Sequence, residues 1–429
     1  MSHGDYPNRA AIEAGQLARL RTLLQELIPA NPFYARKLAT ANLTPEIASL
    51  EEFSRRVPFT TKQEIVEDHR AHPPYGSNLT YPLECYTRFN QTSATTGLPL
   101  RWLDTTESWN WMLDCWDEVY EAAGVRRGDR IYFAFSFGPF LGFWTAFEAG
   151  TRRGCLCVPG GGLSSVARVQ AIIDNGISIL CCTPTYAIRL AEVALSGNID
   201  LTLAKVKTII VAGEPGGSIL ATRAHIANLW PGARVFDHHG MTEIGPVTYE
   251  CPQRPGVLHV IESAYYPEII DPYSRQPVAP GGTGELILTN LGRWGSPLLR
   301  YRTGDVVRRA AANPCACGRY DLALEGGILG RTDDMVVVRG VNIFPGAVED
   351  VLRTCPEVAE YRVEIRTYQA LPELSIQIEP VPGCVDVAGL VHQLESVLRS
   401  TFALRIPVTA VPAGTLPRFE MKARRWVKL

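Results

Sequence analysis

The chain has 429 residues, 42 Lys+Arg against 44 Asp+Glu, and a formal charge of −2. That balance excludes a global electrostatic grip on nucleic acid or anionic lipid, and 46% hydrophobic with 20% charged residues excludes a disordered chain. Eleven cysteines in a chain this long do not suit a disulfide-dense mini-scaffold; mostly reduced thiols and a cytoplasmic setting are expected.

In chain order, residues 10–28 place Ile12, Leu17, Leu20, Leu24 and Leu27 at helical spacing. The start of the chain carries no basic-then-apolar run, so no signal peptide is expected. The longest uncharged stretch, seventeen residues between Arg130 and Glu148, contains Gly138-Pro139 and Gly142. It is shorter than a membrane span and broken, so it reads as strand, loop and helix. From Arg130 to Gly240 short β-rich runs alternate with helical ones: RIYFAFSF, GCLCVP, SILCCTP, VKTIIVAG and ARVFDHHG are separated by amphipathic segments. Repeated strand–helix–strand units predict a parallel α/β sheet. Residues 253–330 turn to Gly, Pro and short strands, which suits an antiparallel sheet or barrel. After a boundary near Gly330–Asp334, DMVVVRG, PGAVEDVLRTC, EYRVEIR, ELSIQIEP, VAGLVHQLESVLRSTF and IPVTAV predict a split βαβ arrangement. Two domains follow, residues 1–330 and 331–429, in a mixed α/β class: a large N-terminal domain of parallel α/β sheets plus a small β-rich subdomain, and a small α+β C-terminal domain.

Five motifs carry candidate chemistry, each ambiguous alone. Thr92-Ser93-Ala94-Thr95-Thr96-Gly97-Leu98-Pro99 is a hydroxyl-rich loop whose Oγ and N–H groups suit phosphate oxygens; taken alone it reads better as a solvated Ser/Thr loop, and it lacks the Walker pattern. Asp237-His238-His239-Gly240-Met241-Thr242-Glu243 follows a predicted buried strand, where a carboxylate is well placed to hold Mg²⁺ against phosphates. Neighbouring strand residues face opposite ways, so His238 and His239 do not readily share one metal. Tyr301-Arg302-Thr303-Gly304-Asp305 sets an Asp on a Gly turn, with Arg331 further on, a pair suited to ribose hydroxyls or phosphate and equally to a surface ion pair. The segment Arg418–Leu429 holds five Lys/Arg and one Glu, so it can bring a Lys to an anionic centre or stay a solvated tail. Finally, Cys251, His259, Cys315 and Cys317 supply three thiolates and an imidazole for a closed zinc site, though not at finger spacings.

Taken in order, these motifs resemble the adenylate-forming (acyl-CoA synthetase) superfamily, and most closely the phenylacetate-CoA ligase family. The resemblance is collinear from about Thr87 to Lys428 and is most specific in GRTDDMVVVRGVNIFPGAVED, YYPEIIDP, SPLLRYRTGD and CACGR. It implies ATP-dependent activation of a carboxylic acid to an acyl-adenylate, then transfer to the thiol of coenzyme A with release of AMP. By the resemblance, Thr92, Ser93, Thr95 and Thr96 face the phosphates, and Gly213, Glu214, Pro215 and Asp237 line the base. His239 stands where a Tyr usually packs on adenine, and Asp305 with Arg331 serves the ribose. Glu243, beside Thr242, matches the Mg²⁺ carboxylate, and Lys422 matches the Lys that stabilises the adenylation transition state. Asp333 falls at the hinge of a mobile C-terminal lid. Some members carry Zn²⁺ at the positions of Cys251, His259, Cys315 and Cys317. Alignment with the family puts Phe135, Phe137 and Phe140 near the acid, with Gly213, His238, Gly240 and Ile244 about it. An aromatic lining favours an aryl or arylacetic acid. Two departures bear on ATP handling: Ala94 replaces a Gly and Leu98 a Lys in the phosphate loop. The resemblance leaves room for a stand-alone adenylating enzyme loading the phosphopantetheine of a carrier protein, for a catalytically weak nucleotide-binding homologue, and for a homodimer; it implies neither nucleic acid nor membrane as partner.

Overall fold

The computed structural model describes residues 6–39, 41, 43–92, 99–339, 341–368, 371–420 and 422–429. The chain forms two compact units, Met1–Gly161 with Asp237–Gly327, and Gly162–Phe236 with Ile328–Leu429. No helix among the described residues is long and apolar enough to cross a membrane.

The first unit opens with the helix Arg9–Ala30, started by the Asn8 side chain accepting the Ala11 N–H. Ile12, Leu20, Leu24 and Leu27 are buried as the spacing predicts, but Leu17 is only half-buried. Gln16 takes the buried position instead, donating through Nε2 to the Glu262 carboxylate at 3.0 Å and the Tyr265 carbonyl at 2.8 Å. A polar side chain can occupy that face because each hydrogen bond replaces one lost to water.

The uncharged stretch becomes the strand Arg130–Phe133, a loop, and the helix Leu141–Arg152. The strand stops short of the predicted Phe137, which takes φ +46°, a left-handed conformation costly for an aromatic residue. The loop after Phe133, bent again at Gly138-Pro139, brings Phe135 and Phe137 back against the helix. Alongside, Arg130–Phe133 pairs in parallel with Leu156–Pro159.

The β-rich middle of the chain is an antiparallel sheet of six strands, starting at Thr248–Glu250, slightly before the predicted region. Its spatial order runs Thr248–Glu250, Val257–Val260, Ala323–Arg331, Tyr301–Arg309, Thr283–Asn290, Tyr265–Ile270. Tyr249 lies opposite His259, and Leu258 opposite Leu324. From Gly284 to Asn290 every residue is buried, so this strand is covered on both faces.

In the second unit Ile179–Cys182 pairs in parallel with Thr208–Val211, and Arg234–Asp237 lies beside the latter. The helix Pro184–Ser196 is started by Thr183, whose hydroxyl accepts the Tyr186 N–H, with Pro184 at its first position. The C-terminal segment departs from the split βαβ expectation. Among the described residues, Val336–Val338 pairs only with Val341–Ile343, in a separate hairpin. The four-stranded sheet is ordered Val408–Ala410, Leu371–Pro380, Val358–Tyr368, Trp426–Lys428. Its fourth strand is the chain's own C-terminus, parallel to Val358–Tyr368 with Val363 opposite Trp426. Three consecutive valines carry β-propensity either way; which partner they find is a tertiary matter.

Candidate functional site

In the first unit, Asp237 ends the strand Arg234–Asp237, and the next residues turn sharply. The His238 N–H donates to the Asp237 carboxylate at 2.9 Å. His238 is buried, with Nδ1 donating to the Thr248 carbonyl at 2.7 Å and the ring 4.4 Å from Trp116. Burial pulls its imidazole down to about 4, against the Thr248 carbonyl, so it is neutral near pH 7 and Nε2 is the acceptor. His239 points elsewhere: its Nε2 is 3.1 Å from the Asp305 carboxylate, and its N–H donates to the Thr248 hydroxyl at 2.9 Å. The two rings therefore do separate work, and the base and ribose candidates His239 and Asp305 meet. Asp305 is buried on the strand Tyr301–Arg309, after Gly304 at φ +77°.

Gly240–Met241 pairs with Gly245–Pro246, and a Cβ on Gly240 would lie 2.8 Å from the Gly245 carbonyl oxygen, so this hairpin requires glycine. Its tip carries Thr242 and Glu243. Glu243 is largely buried, and the Lys62 ammonium stands 3.5 Å from Oε1. Ile244 is fully buried beneath it.

Two supports went unread in the sequence. Arg293, wholly buried, donates to the Thr242 carbonyl at 2.8 Å and the Glu243 carbonyl at 2.9 Å. Its other nitrogens fork onto Asp104 at 2.6 and 2.8 Å. Arg293 thus fixes the backbone of the Glu243 turn through a bidentate, desolvated pair. The signal was local: an Arg in an otherwise uncharged GRWGSPLL run has to find an acid.

Phe135, Phe137 and Phe140 form one aromatic wall with the helix Leu141–Arg152. Phe135 stacks on Phe143 at 4.0 Å, Phe137 meets Trp144 edge-on at 5.1 Å, and Phe140 meets Phe143 at 5.9 Å. The three rings remain half-exposed. The same helix packs against the Gly240–Met241 hairpin, and its Thr145 accepts the Trp116 indole N–H at 2.9 Å. Trp116 thereby touches both His238 and the helix behind the Phe wall.

Thr92 anchors the loop rather than hanging from it: its hydroxyl accepts the Leu100 N–H at 3.0 Å, and its own N–H donates to the Leu100 carbonyl at 2.9 Å. Ser93, Thr95 and Thr96, with Ala94 and Leu98, lie outside the described residues.

In the second unit, Gly213-Glu214-Pro215 follows the strand Thr208–Val211. Gly213 has φ +93°, and a Cβ there would sit 3.6 Å from Lys422 Cε, so the lysine stem lies over this glycine. Both Glu214 carboxylate oxygens accept backbone N–H groups, from Thr185 at 2.9 Å and Ala423 at 2.8 Å. Burial raises its carboxyl above the usual range, and those N–H groups oppose the rise. Arg331 donates through Nε to Asp333 at 2.9 Å, so the ribose and hinge candidates pair.

Cys251, His259, Cys315 and Cys317 converge in the first unit, with their four ligand atoms within 4.8 Å of one another. The strand pairing that sets Tyr249 opposite His259 brings Cys251 close, and the turn at Gly318 (φ +85°) brings the Cys315–Cys317 pair. Sulfur to sulfur, Cys251 and Cys315 are 3.9 Å apart, and Cys317 Sγ is 3.4 Å from His259 Nε2. His259 Nδ1 lies 3.3 Å from the Asp321 carbonyl, which fixes the tautomer that offers Nε2. Three sulfurs and one nitrogen, gathered and oriented from outside, fit a closed tetrahedral zinc site.

Residues 89–292 match the AMP-binding enzyme family, and residues 340–428 match the AMP-binding enzyme C-terminal domain. A phenylacetate-coenzyme A ligase from Thermus thermophilus is 30% identical, covering 96% of this chain and 95% of that protein. One from Pseudomonas putida is 29% identical over 96% and 93%. Among solved structures, a 2-hydroxyisobutyryl-CoA ligase in complex with 2-HIB-AMP superposes with a TM-score of 0.93 at 27% identity, covering 98% of this chain and 90% of that one. The chain therefore belongs to the AMP-binding enzyme family, as an AMP-forming CoA ligase of the phenylacetate-coenzyme A ligase type.

Proposed function

We propose that this enzyme activates an aryl or arylacetic acid. The observation that carries the reading is the half-exposed Phe135–Phe137–Phe140 wall, continued by Phe143 and Trp144 and backed through Trp116 by neutral His238. Flat apolar walls reward a ring, and a His Nε2 acceptor rewards a hydroxyl or amino substituent on it. The phenylacetate ligases named above support an aromatic acid; the 2-hydroxyisobutyryl-CoA ligase makes a small hydroxy acid the competing choice.

In the first step a carboxylate oxygen bonds to the α-phosphorus of ATP and pyrophosphate leaves. Negative charge gathers on the α-phosphate oxygens, so the Lys422 ammonium stabilises the transition state more than the ground state. Asp305 would accept the ribose hydroxyls, with His239 against the base and its Nε2 3.1 Å from the Asp305 carboxylate. Glu243 would hold Mg²⁺, which would offset phosphate charge; its buried carboxylate, facing the Lys62 ammonium, suits a cation. In the second step the thiol sulfur bonds to the acyl carbon and AMP leaves. Residues 331–429 would move as a lid about Asp333 between the steps, relative to residues 1–330. The Cys251–His259–Cys315–Cys317 cluster would bind one structural Zn²⁺, and metal analysis of the purified protein should return one zinc per chain, lost in Cys251→Ser.

Pyrophosphate release tests the substrate directly. Phenylacetate, benzoate and their ring-hydroxylated forms should exceed 2-hydroxyisobutyrate by at least tenfold in kcat/KM, with thioester formed on coenzyme A. A preference for 2-hydroxyisobutyrate overturns the aromatic assignment. Release without thioester on coenzyme A moves the acceptor to a carrier protein.

A further inference from the structure

The segment Glu420–Arg425 is tied down at three places, all within the second unit. The Ser165 hydroxyl donates to the Glu420 carboxylate at 3.3 Å. The Ala423 N–H donates to Glu214 Oε2 at 2.8 Å. Arg425 forks onto the Glu360 carboxylate at 2.6 and 3.1 Å and reaches the Thr185 hydroxyl at 3.4 Å. Thr185 serves twice, since its backbone N–H also donates to Glu214 Oε1 at 2.9 Å. Lys422 lies between the first tie and the other two, its stem over Gly213.

These ties differ in kind. The Arg425–Glu360 pair is buried and bidentate, with the guanidinium also 5.0 Å from the Tyr361 ring. It belongs with the C-terminal sheet, because Arg425 immediately precedes the strand Trp426–Lys428 and its carbonyl accepts the Val363 N–H at 2.7 Å. Glu214, by contrast, joins two segments that are 209 residues apart, with one hydrogen bond to the residue next to Lys422. One such bond to a charged acceptor is strong enough to fix a backbone and weak enough to release it.

We infer that Glu214, braced by Thr185, is a latch that positions Lys422 for adenylation by holding the Ala423 N–H. The inference rests on the role proposed for Lys422 and adds the residue that sets its place. Both Glu214 oxygens are taken by the Thr185 and Ala423 N–H groups, so what it can offer the base is its backbone, which a substitution keeps, and its side chain acts on the first step alone.

The test separates the half-reactions in the full chain, using phenylacetate and ATP for adenylation, and supplied phenylacetyl-adenylate with coenzyme A for transfer. Glu214→Gln keeps the shape but sets an amide NH₂ against a backbone N–H. Glu214→Asp keeps the charge but loses one carbon of reach. Both are expected to slow adenylation 10- to 100-fold, leave transfer within twofold, and speed trypsin cleavage after Lys422. Equal loss in both half-reactions, or none in either, overturns the latch. If the Gln variant does not fold, the Asp variant carries the same comparison. Lys422→Ala runs beside them: unchanged adenylation in that variant removes the role of Lys422 and the latch with it. Loss there, with wild-type rates in both Glu214 variants, removes the latch alone.

Discussion

The turn bearing Glu243 and the segment bearing Lys422 are built on opposite principles. In the first unit the Glu243 turn is pinned by Arg293, a fully buried cation forked onto fully buried Asp104. Nothing there can move without exposing an unpaired charge. In the second unit Lys422 is exposed, and between the Glu420 tie and the buried Arg425–Glu360 pair the residue next to it is held by its backbone N–H donating to Glu214. A group proposed to hold a metal through the reaction has a fixed support. A group proposed to act in one step and then withdraw has a support that lets go.

The sharpest way to break this contrast is Arg293→Met. Leaving Asp104 buried without its partner should cost about 3–5 kcal/mol of stability. Denaturant unfolding should show it, and both half-reactions should fall together. Selective loss of adenylation alone would place Arg293 with the releasable support. Next in size, Lys422→Ala should lower adenylation by roughly 10²–10³-fold, on the scale of removing one transition-state donor. Transfer from a supplied acyl-adenylate should stay nearly intact; stopped-flow or quenched-flow assays of each half-reaction decide it.

The third concerns pH. His238 takes up its proton near pH 4 in the folded protein and near 6.5 when unfolded, because burial penalises the imidazolium. Its contribution is complete above about pH 6.5 and is lost as pH falls towards 4, about 3 kcal/mol in all. His225, also pulled down to about 4 by burial, acts in the same window. Glu118, pushed up to about 7 by burial, works in the opposite sense, favouring the fold below about pH 4.5 and losing that as pH rises through 7. His238→Gln should therefore flatten, without abolishing, the acid slope of stability between pH 6.5 and 4; an unchanged slope would show that His238 can protonate in place. The smallest effect belongs to Asp333→Ala. The Arg331–Asp333 pair is largely solvent-exposed, so stability should change by less than about 1 kcal/mol. A larger loss would move this pair into the fixed class.

The sequence by itself determined the strand–helix alternation, because apolar periodicity is local, and the helix starts at Asn8 and Thr183, because a cap needs only its own turn. It also supplied each chemically marked segment, from TSATTGLP to the Lys422 region, though not what any one of them meets. Only the tertiary structure decided the pairings. His239 with Asp305, Arg293 with Glu243, and Glu214 with Ala423 are each separated by dozens to hundreds of residues, and no local period encodes such contacts. The four zinc candidates show the same division. Their residue types were legible, but unremarkable spacings became a converging cluster only when antiparallel register and a glycine turn brought Cys251, His259, Cys315 and Cys317 together. The valines of 336–338 show it from the other side. Their propensity for strand was readable, but the sheet they were expected to join closed instead with Trp426–Lys428, since hydrogen-bond partners are chosen by the fold and not by the strand.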